Sequence, residues 1–109
     1  MKLVIAVIND DDSIDLIDAL SSKKFGVTKL ATTGGFLKSG NTTLMIGVNK
    51  EKVDEVIDII SDICKKRTEI VSTSTPLTGN SGMYMQYPLE VNVGGATIFV
   101  VDVDKFVKV

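Results

Sequence analysis

The residues of this chain best suited to chemistry lie in Thr32-Thr33-Gly34-Gly35-Phe36-Leu37-Lys38-Ser39-Gly40-Asn41-Thr42-Thr43. Gly34, Gly35 and Gly40 let the backbone approach a ligand closely. The hydroxyls and amides offer hydrogen bonds to a phosphate or a base edge, and Phe36 offers a stacking surface. Together these types suit a nucleotide. Their spacing matches neither a P-loop nor a dinucleotide-binding fingerprint, so an ordinary Gly-rich connection between strands stays open as a reading of the pattern alone.

Elsewhere the candidates are single residues. Thr28 is either a strand former or a ligand contact. Gly94, Gly95 and Phe99 could serve a bulge and the core alone. Cys64 is the lone cysteine and continues the apolar stripe of a helix, which makes it a structural thiol rather than a reactive one. With no histidine and no clustered acid pair outside turns and helix faces, the usual general bases, nucleophiles and transition-metal ligands have no candidate. No catalytic residue, metal or cofactor is expected.

These residues need elements to position them. Leu3 to Ile8 is a continuous apolar run that reads as a strand covered on both faces. Asp10, Asp11 and Asp12 then supply an N-cap for a helix whose apolar positions are Ile14, Ile17 and Leu20, ending near Lys23 and Lys24 with Gly26 beyond. Val27 to Thr33 reads as a second strand leading into the Gly-rich segment Gly34 to Gly40, and Thr42 to Val48 as a third. Asn49 is expected to cap a second helix with a buried stripe of Val53, Val56, Ile57, Ile60, Ile63 and Cys64. Ser72 to Pro88 holds both prolines with Gly79, Asn80 and Gly82 and reads as a long mobile loop. Leu89 to Val103 returns to strand composition, with a bulge or close backbone approach at Gly94-Gly95.

The order strand, helix, strand, strand, helix, strand is the α+β, ferredoxin-like βαββαβ sandwich, with two helices on one face of an antiparallel sheet. In such a domain the second face meets water, and its strands should alternate. Here both parities are apolar in Leu3 to Ile8 and in Ile98 to Val101, so another copy of the chain is the expected cover.

A length of 109 residues fits a single domain, 1–109. The balance of 14 acidic against 12 basic residues is unsuited to polymeric DNA or RNA. A single cysteine allows no intrachain disulfide, and no segment reads as a signal peptide or a membrane span. A cytoplasmic location is expected.

Thr28 to Leu37, Gly40-Asn41-Thr42-Thr43, Gly47-Val48-Asn49 and Val93 to Val100 together resemble the PII-like cyclic di-AMP receptor family, across essentially the whole chain. The resemblance implies a PII-like homotrimer that binds one cyclic di-AMP in each cleft between subunits, is not an enzyme, and signals to a downstream protein target through its loops. The ligand contacts it implies are Thr28, Gly35, Phe36, Leu37, Asn41, Gly47 and Phe99. Phe36 would lie against an adenine, Asn41 would hydrogen-bond a base, and Thr28 with nearby amides would hold phosphate. Gly26, Lys24 and Lys108 depart from some members and bear on affinity. Two other readings stand beside this one: a PII regulator that reads ATP or ADP in the same cleft, and a structural oligomer whose glycines serve only turns.

Overall fold

β-branched and aliphatic residues dominate Lys2–Asn9, which forms β1 at the centre of a four-stranded antiparallel sheet. The computed structural model describes residues 1–30, 40–76 and 84–109. Within them follow α1 (Ser13–Ser22), β2 (Val27–Leu30), β3 (Asn41–Val48), α2 (Val53–Ile63), β4 (Arg67–Pro76), β5 (Tyr84–Val93) and β6 (Ala96–Asp102). The sheet order is β2-β3-β1-β6, which is the expected βαββαβ order with β4 and β5 inserted before the last strand. Lys2 and Asp102 form an ion pair that ties β1 to the end of β6.

Both helices pack on one face. Val4, Ala6 and Ile8 of β1 and Leu44 and Ile46 of β3 point into a core closed by Leu16 and Leu20 of α1 and Val56 and Ile60 of α2. In α1 the buried stripe runs through Ser13, Leu16 and Leu20, while Ile14 is 71% exposed. Of the expected positions Leu20 is buried and Ile17 packs against the core, whereas Ile14 is replaced by Leu16, about 200° away around the helix. In α2 the phase is as expected for Val53, Val56, Ile60, Ile63 and Cys64, with Ile59 rather than Ile57 packed against the core.

The helix starts also differ from expectation. A short 3-10 turn precedes each helix, and Asn49 makes no side-chain cap. Asn9 Oδ1 instead accepts from Asp11 N at 3.0 Å, while Asp10 and Asp12 turn their carboxylates to other partners. Lys24, with φ 66°, takes the left-handed position that ends α1, so Gly26 is not needed for it.

The segment Ser72 to Pro88, expected as a loop, is over its described residues the distal half of a hairpin. β4 and β5 pair from Arg67↔Val93 to Pro76↔Tyr84 and, among the described residues, join no other strand. A two-stranded ribbon outside the four-stranded sheet is not obliged to carry the two-residue apolar period of a half-buried strand, which is why the pattern was silent. Leu89 to Val103 likewise is two strands rather than one bulged strand. Gly94 (φ 86°) and Gly95 (φ 82°) turn the chain from the hairpin into β6, a conformation that favours glycine at both positions.

Candidate functional site

Opposed residues in antiparallel strands point to the same side, so the registers sort the sheet into two faces. The face away from the helices carries Leu3, Ile5 and Val7 from β1, Met45 from β3, and Phe99 and Val101 from β6. Phe99 is 54% exposed and Val101 43%. Contiguous exposed apolar surface of this kind marks a binding surface.

Every sequence-predicted site residue whose position is described lies on this face. Thr28 stands opposite Met45, Gly47 opposite Leu3, Asn41 opposite Asn9, and Phe99 opposite Ile5. Gly35, Phe36 and Leu37 lie outside the described residues.

The four described residues do not converge within one chain. Thr28 and Gly47 line a groove of about 600 Å³ with Met45, Phe106 and Lys108. A Cβ at Gly26 or Gly47 would meet no atom within 4 Å, so both glycines leave the groove floor open. Among the described residues Lys108 is the only charged side chain in its lining. Asn41 lines a separate hollow of about 240 Å³ with Lys66, Gly94, Gly95 and Thr97. Asn41 and Gly47 occupy the two ends of one face of β3, roughly 20 Å apart at ~3.4 Å per residue. Phe99 sits between them on β6.

Local hydrogen bonds fix the Asn41 end. Asp10 accepts from Gly40 N at 3.1 Å and from Thr42 Oγ1 at 2.5 Å, and its own N–H donates to the Gly40 carbonyl at 3.1 Å. One carboxylate thereby pins the point where the Gly-rich segment enters β3. Leu30, the last described residue of β2, is opposite Thr43, so the described flanks of the Gly-rich segment both lie toward the Asn41 end.

The hairpin root adjoins the same end. The buried carboxylate of Asp12 accepts from Arg67 Nη2 at 2.7 Å and Nη1 at 3.4 Å, and Arg67 also donates to the Lys65 carbonyl at 3.1 Å. Donation to the Asp12 carboxylate holds the Arg67 guanidinium above its ordinary pKa. Gly94 fits tightly here, since a Cβ on it would come 2.2 Å from the Lys65 oxygen. Gly95 N donates to the Cys64 carbonyl at 2.5 Å. Burial, reinforced by Asp12, pushes the Cys64 thiol up to about 11, so it stays neutral near pH 7 as a structural residue.

Sequence reading missed Asp10, the Asp12–Arg67 pair and Lys66. The aspartate run was visible, but as a helix cap; only the fold brings position 67 against position 12. Among the described residues no cluster of His, Cys, Asp and Glu is arranged to hold a metal, and no helix is long and apolar enough to cross a membrane.

Two comparisons bear on this arrangement. The crystal structure of a functionally unknown protein from Pediococcus pentosaceus ATCC 25745 superposes with a TM-score of 0.73 at 44% sequence identity, covering 99% of this chain and 96% of that one. The family described as "Cyclic-di-AMP receptor" matches residues 1–109. A match over the whole length, on a chain whose described contact residues Thr28, Asn41, Gly47 and Phe99 share one sheet face, places it plainly: the chain belongs to the cyclic-di-AMP receptor family.

Proposed function

We propose that this protein is a non-catalytic receptor that binds cyclic di-AMP between neighbouring copies of the chain in a homotrimer. In this reading it works in the cytoplasm and passes the signal to a protein target. The observation that carries the reading is the division of the contact residues on one apolar sheet face. Thr28 and Gly47 stand at one end and Asn41 at the other, in different hollows. A second copy packed against this face buries Phe99 and Val101 and brings the Asn41 end of one chain to the Thr28 end of the next. Phe36 and Asn41 then serve the bases, and Thr28 and Lys108 the phosphate. The β4–β5 hairpin, rather than a loop, is the part whose orientation responds to ligand, because its root borders the Asn41 hollow.

Calorimetric titration of the purified protein with cyclic di-AMP, ATP and ADP, alongside sedimentation equilibrium, tests this reading. A trimer that binds cyclic di-AMP orders of magnitude more tightly than either mononucleotide is expected. A monomer, or a preference for ATP or ADP, contradicts it.

A further inference from the structure

The stem of Lys66 lies against the turn at the hairpin root. It lines the hollow that holds Asn41 and also the neighbouring hollow of about 320 Å³ formed by Arg67, Thr68, Asn92 and Val93 at the hairpin root. A Cβ on Gly95 would come 3.1 Å from Lys66 Cγ and 3.3 Å from its Cε. The missing side chain at Gly95 therefore lets the aliphatic stem lie flat against the turn, which limits the directions the ammonium can take.

The charges around it are unevenly committed. Arg67, the next residue, is held by Asp12 and Glu69, whereas among the described residues Lys66 has no ion-pair partner. Gly95 N is occupied by the Cys64 carbonyl and offers nothing to a ligand. The hollow thus presents one uncommitted ammonium, the Asn41 amide and the Thr97 hydroxyl, all of which can donate. Charge-assisted donors of this kind suit the two non-bridging oxygens of a phosphodiester, which share one negative charge.

We propose that Lys66, with Thr97, forms an anion subsite beside Asn41 that takes one phosphodiester of the bound cyclic dinucleotide, leaving Asn41 to the base. The subsite couples the ligand to the hairpin, because Lys66 is adjacent in sequence to the first residue of β4. It rests on the receptor reading above and deepens it, adding a cationic contact on the side of the ligand away from Thr28.

The test is calorimetry on the purified protein and on Lys66→Gln and Lys66→Arg, with cyclic di-AMP at low and high salt and with inorganic phosphate as a second probe. Loss of the charge is expected to weaken cyclic di-AMP binding about tenfold and to flatten its salt dependence, while Lys66→Arg stays within about threefold. Unchanged affinity and unchanged salt dependence in Lys66→Gln, with the unmodified protein binding normally, overturn the subsite alone. Phosphate binding that depends on Lys66 while cyclic di-AMP binding does not overturns the ligand assigned to it. Absence of cyclic di-AMP binding by the unmodified protein overturns the receptor reading and the subsite together.

Discussion

Phe99 and Asn41 stand on the uncovered face without contributing to the core, so replacing them separates ligand binding from folding. Phe99→Ala and Asn41→Ala are each expected to weaken cyclic di-AMP binding by about 10- to 100-fold, as the loss of a stacking surface or a base hydrogen bond implies. Melting temperature of the unliganded chain should change little; calorimetry paired with thermal denaturation checks both. Cys64 belongs to the opposite class. Its thiol is raised to about 11 by burial, so the folded state disfavours the thiolate and the unfolded chain releases its proton first as pH rises. The stability it contributes is complete below the ordinary thiol range, near 8.5, and declines from there to about 11. Melting temperatures across that window should fall more steeply for the native chain than for Cys64→Ala. The types at these positions were readable in the sequence, but the side of the sheet each occupies followed only from strand register.

Among the elements, the hairpin depends most on a few contacts, because among the described residues it pairs with no other strand and meets the body at residues 64–67 and 93–95. Arg67→Ala leaves the Asp12 carboxylate buried without its partner, which should lower the denaturation midpoint. Gly94→Ala introduces both a positive-φ alanine and a 2.2 Å approach to the Lys65 oxygen, for a loss of about 2 kcal/mol or more. Chemical denaturation measures both losses, and hydrogen exchange should show β4 and β5 losing protection before the four-stranded sheet. The sequence exposed the sheet strands and α2 because a buried face imposes a period on them. It hid the hairpin because a ribbon outside that sheet is not obliged to carry one, and it hid the Asp12–Arg67 pair because ion pairing across 55 residues leaves no local pattern.

At the scale of the whole molecule, a body of two helices on a four-stranded sheet carries a projecting ribbon, with overall extents of 65 × 28 × 21 Å. Apolar residues at both parities of β1 already implied that the second face needs a cover, and the structure leaves Phe99 and Val101 exposed there. What a single chain cannot reveal by pattern is that Thr28 and Asn41 occupy separate hollows, since that depends on β3 running its full length between them. The most direct measurement is complementation between two defective chains. Thr28→Asp and Asn41→Ala proteins, each binding cyclic di-AMP poorly on its own, are co-expressed so that they assemble together, and their high-affinity sites are counted by calorimetry. If each site draws Thr28 from one chain and Asn41 from its neighbour, random mixing restores about a quarter of the sites to full affinity. If mixed assemblies recover none, the ligand is held within a single chain and the shared cleft is contradicted.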